Sequence, residues 1–282
     1  MLRALMRAAC IAVALFSATQ ASYAQTFPDR AIRWIVPWPP GGGGDVIARM
    51  IGNPVADALG KPVIIENRAG AAGNIGALAV ARAPADGYTI AFAYSGTHSI
   101  NRHLYKEMPF EEKDFTPVIF LASVPQVLVV NSSLPFKSVK DIIAAAKANP
   151  GKLNYATAGI GSATHLSMAY FNSMAGIDLQ HVPYKGGGPV MTDLLGAQVD
   201  GSFMNINTAM PQILSGKLRA LSITSVKRSP LLPQVPSLQE LGIKDANVYS
   251  WQAIAGPRGL PADLKAKLHA AISAALNDPT IK

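Results

Sequence analysis

Two glycine-rich segments hold the residue types best placed to do chemistry: Pro37-Trp38-Pro39-Pro40-Gly41-Gly42-Gly43-Gly44-Asp45 and Ala156-Thr157-Ala158-Gly159-Ile160-Gly161-Ser162-Ala163-Thr164-His165. A phosphate-cradling loop would need a lysine directly after its last glycine, and Asp45 stands there instead. A dinucleotide fingerprint needs a third glycine and an acidic residue roughly 20 positions on, closing the next strand. Gly159-Ile160-Gly161 opens that pattern, but Thr164 holds the third glycine's place and Asp178 precedes its strand. A hydrolase elbow places its serine between two glycines at set spacing, which Ser162 lacks. Ser162 and His165 fall within one helical turn, so a secreted α/β hydrolase is a rival reading. Without an orienting acid, the same pair reads as a helix cap and a helix-face residue.

Such loops are well suited to presenting backbone N–H groups. The first turn of a helix has unpaired amide donors and the positive end of the helix dipole, so an anion gains directional hydrogen bonds there without a counter-charge. Glycine removes the side chains that would obstruct approach. A tight turn with no ligand is the plain alternative for either loop alone; two such loops in two lobes favour binding.

Each loop must be held between a strand and a helix, and the surrounding pattern supplies both. Ile32–Val36 reads as a strand, Asp45–Leu59 as a helix, Val63–Ile65 as a strand, Asn74–Ala83 as a helix and Tyr88–Ala93 as a strand. Further strands are expected at Val127–Val130, Tyr155–Thr157, His181–Val182, Gly201–Met204 and Leu218–Ile223, with helices between. Ser138 caps a helix whose apolar positions are Val139, Ile142, Ile143 and Ala146, and a last helix starts near Ala262. Strands alternating with helices predict an α/β fold with two mainly parallel sheets, each flanked by helices.

Composition narrows the function classes. The 282 residues are 49% hydrophobic and 15% charged, enough to bury a sizeable core, and the one cysteine, Cys10, excludes disulfide scaffolds and cysteine-based metal or redox motifs. The net charge of +8 comes from Lys and Arg scattered singly or in pairs, without the basic stripes of a nucleic-acid binder, so no nucleic acid is expected. A mild positive field helps to collect anionic small molecules. Met1–Ala24 has Arg3 and Arg7, then an apolar run, then Ala21-Ser22-Tyr23-Ala24, which reads as a signal peptide cleaved after Ala24. Cys10 precedes most of that run, which argues against a lipid anchor. A soluble, thiol-free protein exported to a bacterial periplasm is expected.

The segment from Pro37 to Arg49 resembles the opening motif of the Bug family, the extracytoplasmic substrate-binding proteins of tripartite tricarboxylate transporters. Further family-like segments follow in register: Glu66 to Gly73, Ala85 to Thr89, Pro150 to Tyr155 running into Gly159 to Ser162 and His165, Val182 to Gly186, and Gly216 to Leu221. The resemblance implies a two-lobed, flytrap-like (type II) periplasmic binding protein. Lobe 1 would comprise residues 25–124 and 228–282, and lobe 2 residues 125–227. It also implies a small organic carboxylate as ligand, permease subunits in the membrane as partners, a monomer, no cofactor, no metal and no catalysis. Family members continue past the helix ending near Asn277-Asp278-Pro279, so a truncated first lobe is expected here.

By the same resemblance, two pincer loops grip the carboxylate, partly through ordered water. The first contributes Trp38, Pro40, Gly41, Gly42, Gly43, Gly44 and Asp45; the second Ala158, Gly159, Gly161, Ser162, Thr164 and His165. The wall between draws on Asn67, Gly70, Ala71, Ser95, Gly96, Thr97, Tyr184, Lys185, Asp200 and Asn205. Several have a structural alternative: Asp45 complements its own helix and pairs with Arg49 at i+4, Asn67 closes its turn, Tyr184 packs between lobes, and His165 is a helix-face residue. Arg68, Arg102 and Lys185 are either counter-charges or solvated surface groups. A ligand sensor serving a signalling partner is the other rival function.

Overall fold

The computed structural model describes residues 27–279 and 281; the expected signal peptide lies outside them. The first half opens with β1 (Ile32–Val36), α1 (Gly43–Leu59), β2 (Val63–Asn67), α2 (Asn74–Ala81) and β3 (Thr89–Tyr94). Strand β1 lies between β2 and β3, parallel to both. Residues of β1 and β3 alternate between two faces, as the two-residue period of a strand requires. Ile32, Trp34, Val36, Ile90 and Phe92 pack under α1 and the C-terminal helix, whereas Ile35, Ala91 and Ala93 pack with Ala77 and Val80 of α2. Trp34 and Phe92 stack at 5.4 Å, and each buried aromatic contributes roughly 2–3 kcal/mol.

Strand β4 (Phe115–Asn131) is far longer than the expected Val127–Val130 and belongs to both halves. Its first part, Phe115–Pro125, runs antiparallel to β9 (Tyr249–Pro257), which in turn pairs with β3. Its second part pairs antiparallel with β7 (Ser202–Asn205) and β8 (Leu218–Ile223). Proline cannot donate to a ladder and is tolerated at bulges. Pro117 sits where the β4·β9 register shifts, and Pro125 closes that pairing. Those two prolines hid the strand from periodicity.

The second half completes itself with α3 (Val139–Ala148), β5 (Asn154–Thr157), α4 (Ala163–Ala175), β6 (Gln180–Pro183), α5 (Gly187–Leu195) and α6 (Ile206–Leu214). Strands β5 and β6 are parallel, and a parallel bridge from Tyr155 to Gly201 ties them to β7. Ser138 caps α3, as the sequence predicts, by accepting from Asp141 N–H, and its own N–H donates in return to the Asp141 carboxylate. Leu128 and Val130 of β4 serve one core, Val127 and Val129 the other. Helix α7 (Ala262–Asn277) closes the chain over the first half, burying Leu268 and Ile272.

The stretch after residue 228, expected in lobe 1, makes its core contacts in the second half. Leu232 and Val235 pack with Val127 and Val129, and Leu238, Ile243 and Ala246 pack with Leu128 and Val130, so the chain re-enters the first half only with β9. Thr224 fastens the two crossings: its hydroxyl accepts from Gln126 N–H at 2.9 Å and donates to the Val248 carbonyl at 2.6 Å. Among the described residues no helix is long and apolar enough to cross a membrane.

Candidate functional site

The first loop leaves β1 and turns directly into α1. Helix α1 has Gly42 at its N-cap with no side-chain cap, and its first internal bond runs from Val46 N–H to the Gly42 carbonyl. The amides of Gly43 and Gly44 are therefore free donors. The loop is held by Asp45, whose carboxylate accepts from Gly41 N–H at 3.0 Å, from Arg49 Nε at 3.0 Å and from Asn67 Nδ2 at 2.9 Å. Asn67 Nδ2 also donates to the Trp38 carbonyl at 2.9 Å, and its Oδ1 accepts from Arg49. Burial works against the Asp45 charge, but the bonds from Arg49, Gly41 and Asn67 prevail and hold its carboxyl below the usual range.

The second loop is held by its own side chains. Ser162 Oγ accepts from His165 N–H at 3.2 Å, which caps α4, and donates to the Gly159 carbonyl at 2.7 Å. With the Ser162 proton committed, the 2.9 Å contact to Thr164 Oγ1 has Thr164 as donor, and Thr164 in turn accepts from Ala158 N–H. Ser162 has no proton left to offer a base. His165 Nδ1 accepts from Gly161 N–H at 3.4 Å, and its ring stacks on His181 at 4.5 Å. The serine and histidine are thus not paired as nucleophile and base. The amides of Ala163 and Thr164, the first two of α4, remain free donors.

Both loops line one small cavity between the halves, of about 60 Å³. Two more helices begin at its wall. Gly187 is the first residue of α5, and Asn205 and Thr208 lie at the start of α6; neither helix has a side-chain cap. Four helix N-termini therefore converge on one small space. No charged side chain lines it among the described residues. Arg68 pairs with Glu66, Arg102 pairs with Glu112, and Lys185 is exposed. Desolvating an anion here thus depends on several neutral donors.

Of the expected site residues, Trp38, Gly42, Gly43, Gly44, Ala158, Ser162, Thr164 and Asn205 line this cavity. Gly70, Ala71, Gly159, Tyr184 and Lys185 line an adjoining cleft of about 240 Å³ that shares Trp38 and Ala158 with it. Pro40, Gly41, Asp45, Asn67, Ser95, Gly96, Thr97, Gly161, His165 and Asp200 line neither. Asp45 and Asn67 are spent on each other, and Gly96 is packed against the Tyr94 ring. Thr97 bonds to His98, and Asp200 accepts from Asn154 N–H at 2.8 Å beneath the second half. The Tyr184 phenol donates to Asp193, which, with burial, pushes its pKa up to about 12.

The sequence reading missed the floor. Gln126 of β4 and Gln252 of β9, 0% and 1% exposed, line the cavity together with Ser202 and Ser250. Both Gln126 amide atoms, Gln252 Oε1 and Asn205 Oδ1 are buried without a hydrogen-bond partner. Polar residues in apolar strands were the available signal.

Two α/β halves joined by crossing strands, with a small uncharged cavity walled by both, define a two-lobed solute-binding protein. The model of the tripartite tricarboxylate transporter family receptor matches residues 47–282. Among solved structures, the periplasmic binding protein BugD is 36% identical, covering 90% of this chain and 85% of that one at a TM-score of 0.87. An R. palustris protein with adipate is 37% identical, covering 90% and 85% at 0.87. MatC from Rhodopseudomonas palustris, with bound malate, is 34% identical, covering 90% and 87% at 0.86. The chain belongs to the tripartite tricarboxylate transporter receptor family, and its role is solute binding.

Proposed function

We propose that this protein captures a small organic carboxylate between its lobes in the periplasm and presents it to the permease subunits of a tripartite tricarboxylate-type transporter. The supporting observation is the convergence of four helix N-termini on one cavity without a charged side chain. Free amides of Gly43, Gly44, Ala163 and Thr164 supply directional donors, and the dipoles supply a field that favours negative charge. A ligand touching both loops has a higher affinity for the closed arrangement and shifts the population toward it. Carboxylates held by two relatives, adipate and malate, agree with this chemistry.

The role is binding without turnover, by a monomer. The protein is titrated calorimetrically at neutral pH with a panel of mono-, di- and tricarboxylates. At least one acid binds saturably, one per chain, and at 100 times its dissociation constant stabilises the fold by about 2.7 kcal/mol. No acid bound, or hydrolysis of an ester panel that is lost in Ser162→Ala, would overturn the reading.

A further inference from the structure

The cavity has two chemically different ends. At the loops, the unpaired groups are N–H donors, which suit a carboxylate. At the floor, where the two crossing strands lie side by side, they are carboxamides. Gln126 is 0% exposed and Gln252 1%, and Gln126 Oε1, Gln126 Nε2 and Gln252 Oε1 all lack partners. Gln126 and Asn205 sit opposite each other in the β4·β7 register. Both amide atoms of Gln126 are unpaired, so turning that amide end for end still leaves one unpaired acceptor; Gln252 Oε1 supplies a second in the orientation the structure gives it.

A second carboxylate, or an alkyl chain, accepts or does nothing; it leaves these carbonyls unpaired in a buried place, which is costly. A hydroxyl, an ammonium or an amide N–H satisfies them. Resting on the carboxylate reading above, we infer that Gln126 and Gln252 are specificity-determining residues that select a carboxylate carrying a hydrogen-bond donor beyond the carboxylate gripped by the loops. Hydroxy acids, amino acids and their amides are the ligand class; plain saturated acids are the disfavoured one. A site built to bond an OH or NH group discriminates strongly against an analogue without it.

The test uses matched acids differing by that donor: butanoate with 4-hydroxybutanoate, succinate with malate, and glutarate with glutamate and glutamine, each titrated calorimetrically. In the best-bound set the donor-bearing acid binds at least about tenfold tighter than its parent. Gln126→Met and Gln252→Met, similar in volume, reduce that ratio to within about twofold. Parents that bind as tightly as their donor-bearing counterparts overturn the inference while leaving the carboxylate reading intact. No binding by any acid overturns the carboxylate reading itself. A preference that persists in both variants also overturns the assignment, and the wild-type comparison decides the matter alone should either variant fail to fold.

Discussion

Gly161 of the second loop faces Asn101 of the first half so closely that a methyl group built on it would lie 2.2 Å from Asn101 Oδ1. Asn101 is fully buried and cannot retreat, because its Nδ2 donates to Asn74 Oδ1 at 2.6 Å and to the Ala72 carbonyl at 3.2 Å. The lobes therefore meet through an absent side chain. Gly161 also has φ +86°, a conformation that other residues adopt at a cost of roughly 1–2 kcal/mol.

Gly161→Ala should hold the lobes apart. The expected result is a modest drop in melting temperature without ligand and a loss of most ligand-induced stabilisation, measured by thermal shift at saturating acid. Asn101→Ala on the same background should restore part of that stabilisation, since it removes the obstructing oxygen. Full ligand-induced stabilisation in the single variant would show that closure does not need this contact.

Gly44 tests the opposite loop by a different route. Alanine is favoured over glycine inside a helix by about 1 kcal/mol, so on propensity alone Gly44→Ala would stabilise. A Cβ there, however, would lie 2.2 Å from Trp38 Cζ3 and 2.6 Å from Cε3. The indole is backed by Tyr94 at 4.3 Å, so it must swing out of the cavity wall. Binding should weaken at least about tenfold, with a shift in tryptophan emission, while overpacking costs roughly 1–3 kcal/mol of stability. Unchanged affinity and emission would rule out the indole as part of the wall.

Asp45 separates support from contact. Its carboxylate gathers Gly41 N–H, Arg49 and Asn67 but does not line the cavity. Asp45→Ala leaves those donors unpaired and should cost about 2 kcal/mol in denaturant unfolding. Affinity should fall in parallel, because the first loop loses its brace. Weaker binding with unaltered stability would instead place this carboxylate against the ligand.

The two loops were legible because glycine runs between a strand and a helix have few other uses, and β1 keeps its expected bounds because Trp34 and its neighbours alternate cleanly. The long β4 and all of β9 were not. Pro117 and Pro125 interrupt the first, while Ser250 and Gln252 place polar groups where a buried strand should be apolar. The same feature that concealed β9 equips the cavity floor. The starts of α5 and α6 were visible only as Gly186-Gly187-Gly188 and Asn205, short polar signals whose meaning depends on the lobe that faces them.

Acid sensitivity should come first from two histidines kept neutral by the fold. His98 is pushed down to about 4 mainly by burial; its Nδ1 contacts Thr97 Oγ1, its Nε2 has no partner, and its ring packs 4.6 Å from Phe115. His181 is also pushed down to about 4, by burial and then by His165, on which it stacks. Both native values lie below the usual 6.5, so as pH falls the unfolded chain takes up protons first. Their stabilisation is present in full above about 6.5 and declines toward 4. Asp45 adds its loss only below the usual carboxylate value of 3.8, in a separate window. Melting temperatures recorded from pH 8 to 3.5 should be flat at first and fall between 6.5 and 4. His98→Phe and His181→Phe should each flatten that fall, and an unchanged slope in both variants would assign it to other groups.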